Sequence, residues 1–123
     1  MKKSIQLIKQ FVALIEIEKI DDSLESVEKL AKNIVLDLNL KIVKKVFYIF
    51  KPQGITFGYI LSQSHLMIST YPENKIIHID LVMCVDRKKT DFKNSLTDRL
   101  SKYQITSLKI KTINFSQQIE KAR

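Results

Sequence analysis

Residues 61–84, LSQSHLMISTYPENKIIHIDLVMC, constrain the fold more than any other part of the chain. Two runs with apolar side chains at alternate positions flank Tyr71-Pro72-Glu73-Asn74. Alternation at period two sends successive side chains to opposite faces of a strand, and proline followed by short polar residues favours a turn. In the run 75–84, Ile77, Ile79, Leu81 and Met83 fall on one face. Ile76, His78, Asp80, Val82 and Cys84 fall on the other. This stretch therefore reads as paired strands with one face in a core. It also holds most of the reactive side chains. Gln63-Ser64-His65 opens it, Glu73 stands at its turn and the sole cysteine, Cys84, closes it. On this reading a nucleophile, a carboxylate and a thiol fall within one hairpin.

The flanking sequence supplies the other elements. In 11–20, Leu14, Ile15, Ile17 and Ile20 alternate with Glu16 and Glu18, which suits a strand with one solvated side. Asp22 with Glu25 three residues on has the form of a capping box. Leu24, Val27, Ala31, Ile34, Val35 and Leu38 then recur at helical spacing, predicting an amphipathic helix over 23–37. Strand character resumes at 41–50, and Lys51-Pro52-Gln53-Gly54 provides a turn. The runs 54–62, 65–71 and 75–84 read as three further strands. Thr90 or Asp91 caps a second helix carrying Phe92, Leu96, Leu100 and Tyr103, and Ile105, Leu108, Ile110 and Ile113 mark a last strand. The order is strand, helix, four strands, helix, strand. Two helices cannot cover both faces of so large a sheet. The expected fold is therefore α+β, a two-layer sandwich in which a mostly antiparallel sheet carries two helices on one face. Its other face is left for a partner subunit.

At 123 residues the chain is expected to form a single domain over 1–123. Hydrophobic residues make up 45% and charged residues 28%, with two glycines and two prolines, which argues for an ordered globular protein rather than a disordered one. A single cysteine excludes an intramolecular disulfide, and with only two histidines it argues against a zinc site. The basic, apolar start is interrupted by Glu16 and Glu18 and lacks a small-residue cleavage site, and no apolar run is long enough to span a bilayer. A soluble, cytoplasmic protein is expected, with no membrane partner. The net charge of +8 comes from lysines scattered along the chain, and no helix-turn-helix, zinc or RNP pattern accompanies it. A lysine-rich solvated surface is the plain reading, a basic nucleic-acid-binding module the alternative.

A resemblance adds what periodicity cannot. Tyr48-Ile49-Phe50-Lys51-Pro52-Gln53-Gly54-Ile55-Thr56, Leu61-Ser62-Gln63-Ser64-His65, Ile68-Ser69-Thr70-Tyr71-Pro72-Glu73, Asp80 and Cys84 together resemble the bacterial and archaeal S-adenosylmethionine decarboxylase family. That family reads roughly H-x-F-x-P-x-G-V-T, then E-S-H-x-x-I-H-T-x-P-E, then D-x-x-x-C. The likeness is specific through residues 48–84. It implies a proenzyme that cuts itself between Gln63 and Ser64, leaving a pyruvoyl group derived from Ser64. Such a ketone forms a Schiff base with a substrate amine and withdraws electrons from the carbanion left by loss of carbon dioxide. The implied substrate is S-adenosylmethionine, the implied role polyamine (spermidine) synthesis, and the implied assembly a homodimer or higher oligomer.

By the same resemblance Cys84 returns a proton to the substrate carbon, Phe50 stacks on the adenine, Glu73 binds the ribose hydroxyls and Thr56 assists cleavage. Several positions depart from the pattern. Gln63 stands in place of glutamate, although the backbone carbonyl under attack is unchanged. Ser69 stands in place of a histidine that assists processing, and a hydroxyl does not shuttle protons near neutral pH as imidazole does. Tyr48, Val85 and Lys19-Ile20 also differ from the family residues. Two alternatives stay open: the same enzyme class acting on arginine or ornithine, or an unprocessed relative serving as a binding or regulatory partner. Read alone, Ser64 is a turn serine, Cys84 and Phe50 are core residues, Glu73 is a solvated turn residue, and His78 is a core or interface histidine.

Overall fold

A computed structural model describes residues 4–115 and 117–119. Its strands are β1 (Ser4–Gln6), β2 (Lys9–Ile17), β3 (Ile42–Ile49), β4 (Ile55–Leu61), β5 (Ser64–Tyr71), β6 (Ile76–Met83), β7 (Ile105–Asn114) and β8 (Gln117–Ile119). Two helices, α1 (Leu24–Asp37) and α2 (Lys89–Arg99), join them. Six strands form one antiparallel sheet in the order β3-β4-β5-β6-β2-β7, and β1 pairs with β8 in a separate two-stranded ribbon. The six-stranded sheet with helices on one face is the expected α+β sandwich. The ribbon was not anticipated.

The period-two pattern decides which face is buried. Phe11, Ala13, Ile15 and Ile17 on β2 point to the helices with Ile77, Ile79, Leu81 and Met83 on β6, and all eight are buried. Leu14 falls on the opposite side with Glu16 and is 40% exposed, so it does not belong to the core. Helix α1 buries Val27, Leu30, Ala31, Ile34 and Val35 against the sheet, and α2 buries Phe92 and Leu96. Phe11 stacks on Phe92 with ring centroids 5.1 Å apart, tying α2 to β2. Truncating a buried phenylalanine to alanine typically costs about 3–5 kcal/mol, so this pair anchors the second helix.

Two capping expectations are corrected. Asp22 is not the N-cap of α1. Ser23 holds that position, its Oγ accepting from Ser26 N at 3.2 Å, while Asp21 accepts from Ser23 N and Ser26 Oγ. Three cap-competent side chains in a row leave the sequence pattern ambiguous, and tertiary contacts draw Asp22 elsewhere. Helix α2 starts earlier than expected, with Lys88 as N-cap and no side-chain cap, so Thr90 and Asp91 lie in its first turn. The helices are clasped by Asp37, which accepts from Ser95 Oγ and from Arg99 Nε and Nη2. Arg87 donates to the Leu38 and Asn39 carbonyls, occupying acceptors at the α1 C-terminus. No helix among the described residues is long and apolar enough to cross a membrane.

Candidate active site

The sheet face away from the helices is open. Across it Thr56, Ser69, His78 and Leu14 lie in one register row, and Gly58, Met67, Asp80 and Val12 in the next. Ile60, Val46, Tyr48 and Leu14 on this face are all exposed.

At one end of the sheet, Leu61 pairs with Ser64, which leaves Ser62 and Gln63 as a two-residue turn. Gln63 takes φ +60°, a left-handed conformation costing a residue with a Cβ about 1 kcal/mol. That residue contributes the carbonyl of the Gln63–Ser64 peptide bond. Cys84, just beyond the end of β6, donates its thiol to this same carbonyl oxygen at 2.9 Å. Ser64 Oγ donates to Ser62 O at 3.2 Å and is half-buried. Nucleophile, carbonyl and polarising donor are thus held together by one turn and one strand end.

The other residues singled out from the sequence lie away from this turn. Thr56 Oγ1 and Ser69 Oγ share a hydrogen bond of 3.0 Å on the open face, near the start of β4 and the end of β5. Ser69 is five positions along β5 from Ser64, a separation of about 17 Å at the usual rise of an extended strand. Glu73 sits in the 3-10 turn Pro72–Asn74 at the far end of β5. There it accepts from Gln53 Nε2 at 3.4 Å, so the β3–β4 and β5–β6 turns are neighbours. Phe50, 47% exposed, packs edge-on to Tyr48 at 4.8 Å beside them. Nucleophile, thiol and carboxylate thus fall within the one β5–β6 hairpin, as expected, but at its two ends: Ser64 and Cys84 at the open end and Glu73 at the turn, with an eight-residue strand between them.

One residue that the sequence pattern misassigned organises the far end. Asp22 Oδ2 accepts from Gly54 N at 2.8 Å, and its Oδ1 accepts from Thr70 Oγ1. Thr70 Oγ1 in turn accepts from Ile55 N at 2.9 Å. Gly54 has φ +102°, a conformation only glycine adopts readily, and its carbonyl accepts from Phe50 N at 2.8 Å. The carboxylate thus fastens the turn that presents Phe50 and Gln53. The sequence signal for this role was the Pro-x-Gly turn itself, whose buried amide requires an acceptor.

Among the described residues no group of histidine, cysteine and carboxylate side chains is arranged to hold a metal ion. The charged groups with displaced titration lie elsewhere. The guanidinium of Arg99 holds the Asp37 carboxyl below its ordinary range, and Lys9 does the same to exposed Asp86. Burial raises the Tyr59 phenol.

Comparison with known proteins identifies the family. The family model for S-adenosylmethionine decarboxylase matches residues 11–113. The S-adenosylmethionine decarboxylase proenzyme of Pelotomaculum thermopropionicum is 32% identical over 91 residues, covering 73% of this chain and 72% of that protein. The proenzyme of Clostridium kluyveri is 33% identical over 95 residues, covering 76% and 75%. That of Clostridium botulinum is 41% identical over 66 residues, covering 51% of this chain and 57% of its own length. The crystal structure of the adenosylmethionine decarboxylase of Aquifex aeolicus superposes with a TM-score of 0.73 at 20% identity, covering 97% of this chain and 98% of that one. At that identity the likeness speaks for the fold.

Proposed function

The chain belongs to the S-adenosylmethionine decarboxylase family, and from that premise we propose that it is a self-processing, pyruvoyl-dependent decarboxylase of S-adenosylmethionine serving polyamine synthesis. The observation that carries the reading is the Cys84 thiol on the Gln63 carbonyl oxygen, beside the Ser64 hydroxyl.

Self-cleavage needs a nucleophile next to an activated carbonyl. Attack of Ser64 Oγ on the Gln63 carbon converts the amide to an ester, and charge builds on the carbonyl oxygen as it does so. A donor already placed on that oxygen stabilises the charge without reorganisation. Elimination of the ester then frees the Gln63 carboxylate, which keeps the serine oxygen, and hydrolysis, taking up one water and releasing ammonia, leaves a ketone on residue 64. These residues fit a pyruvoyl group: the serine that generates it is half-buried at a turn, with the thiol beside it. That group supplies an electron sink for decarboxylation of an amino acid. Cys84, set next to residue 64, is the proton donor to the substrate carbon. Phe50 offers an exposed ring to the adenine and Glu73 a carboxylate to the ribose hydroxyls.

A single copy cannot bring these groups together, because Glu73 and Phe50 lie at the opposite end of the sheet from Ser64 and Cys84. The site is read as composite. In a homodimer with its open faces packed about a two-fold axis, Ser64 and Cys84 of one copy meet Phe50, Thr56, Ser69 and Glu73 of the other. The exposed apolar residues of the open face support this packing.

Intact mass of freshly purified protein tests the reading. Two fragments meeting between Gln63 and Ser64, absent from a Ser64→Ala variant, are expected. A single uncut chain after long incubation overturns it and leaves an unprocessed binding partner.

A further inference from the structure

The Thr56–Ser69 hydroxyl pair lacks a base of its own, yet an imidazole stands directly beside it. Ser69 on β5 pairs in register with His78 on β6, on the open side of the sheet. Directly opposed residues on one face of an antiparallel pair have Cβ atoms about 4.5–5.5 Å apart, within side-chain reach. Thr56, Ser69 and His78 therefore form a continuous row across β4, β5 and β6, and all three are half-buried. Among the described residues no hydrogen bond or ion pair engages the His78 ring. The other histidine, His65, lies four positions from Ser69, opposite Ile60 and Val82, about 13 Å along the strand, too far to serve these hydroxyls in the same copy.

We infer that His78 is the proton-exchange group for the Thr56–Ser69 hydroxyl pair during self-cleavage, acting on Ser64 of a second copy. The inference rests on the composite-site reading above. In the step it serves, the bond from Ser64 Oγ to the Gln63 carbonyl carbon forms and the bond from that carbon to the Ser64 nitrogen breaks. The hydroxyl proton passes through Thr56 and then Ser69 to His78 and returns to the departing nitrogen. No proton or electron is gained or lost overall. Imidazole suits this work because it exchanges a proton near neutral pH, which neither hydroxyl does. His78 acts through the hydroxyls rather than touching the scissile bond.

The titratable groups facing His78 are few. On its own strand Asp80 lies two positions on and accepts from Gln10 Nε2 at 2.7 Å. On β2 Leu14 is directly opposite, with Glu16 diagonal to it, and on β5 Tyr71 is diagonal. No charged group stands between the ring and Ser69.

The test follows fragment formation by intact mass in full-length protein between about pH 5.5 and 8.5, for the wild type, His78→Gln, and the double variant Ser69→His with His78→Gln. The wild-type rate should rise with pH through the range where an imidazole loses its proton. His78→Gln should be slower by about 100-fold and lose that rise. The double variant, which moves the imidazole one strand along the row, should regain at least about ten-fold. Thermal unfolding of each variant identifies any that fails to fold, and the wild-type profile needs no variant at all. A flat wild-type profile overturns the inference. So does a His78→Gln protein that cuts at the wild-type rate, or one that is slow with the pH dependence kept and no rescue, since that is the signature of a structural role. In each of those cases cleavage still occurs and the decarboxylase reading stands. A wild-type chain that never cuts sinks both.

Discussion

The thiol of Cys84 lies 2.9 Å from the carbonyl oxygen of Gln63, although the two residues are 21 positions apart in the chain. β6 runs back along β5, so its end delivers the cysteine to the turn where β5 begins. One contact thus joins the sole thiol to the peptide bond proposed to be cut. Cys84→Ala removes the donor and should slow fragment formation by about 10- to 100-fold, less than the larger losses seen for stronger donors in oxyanion sites. Cys84→Ser retains a donor and should cut faster than Cys84→Ala in the same time course. Equal rates for all three proteins would remove the thiol from the cleavage step.

The composite site predicts complementation. Ser64→Ala and Glu73→Ala should each lack decarboxylation as pure proteins. Their mixed dimer keeps one complete site, formed by Ser64 of one copy and Glu73 of the other. Random pairing makes half the dimers mixed, each with one site of two, so co-expression should restore about a quarter of wild-type activity. No recovery in a verified heterodimer would place Ser64 and Glu73 in separate roles.

Asp22 predicts a separation of binding from cleavage. Asp22→Ala leaves Gly54 N without its acceptor and frees Thr70, loosening the turn that carries Phe50. Losing a buried hydrogen bond to a charged acceptor costs about 1.5–3 kcal/mol, so the melting temperature should fall by several degrees. KM for S-adenosylmethionine should rise about ten-fold, while fragments still form at the far turn. An unchanged KM would show that the turn needs no clamp.

Phe50→Ala should likewise raise KM by roughly 10-fold or more, the loss expected when a stacked aromatic is removed. Cleavage at Gln63–Ser64 should continue, because Phe50 lies at the other end of its own sheet and acts on the substrate alone. Processing assayed beside steady-state kinetics distinguishes this from a folding defect.

The helix clasp predicts an acid limb in stability. Asp37 has its carboxyl lowered, first by the hydrogen bond from Arg99, against burial that acts the other way. A carboxyl lowered on folding contributes stability that is full above its unfolded value, near 3.8, and is lost as pH falls through the lower folded value. Asp37→Asn should therefore lower the melting temperature by about 2–4 °C at pH 7, a modest effect because the pair is partly solvated. The difference between variant and wild type should shrink below about pH 4. A difference constant with pH would assign the loss to packing against Ser95 instead.

Much of the fold was legible because burial is written at fixed periods. Ile77, Ile79, Leu81 and Met83 could face only one way, and Val27, Ala31, Ile34 and Val35 marked one side of a helix. Cap identity was not legible, since Asp21, Asp22 and Ser23 are all competent and only the folded position of Gly54 and Thr70 draws Asp22 away. The β1–β8 ribbon was missed because three-residue strands carry too little pattern to read.

By itself the sequence determined the α+β class, the buried faces of the central strands β2 and β6 and, by resemblance, which residues to watch. All three follow from local order along the chain, where side-chain period and motif spacing are written directly. Register was decided only by the tertiary structure. Cross-strand pairing set Cys84 against Gln63 and placed His78 beside Ser69. Those relationships depend on where one strand stops against another, and no local pattern records it.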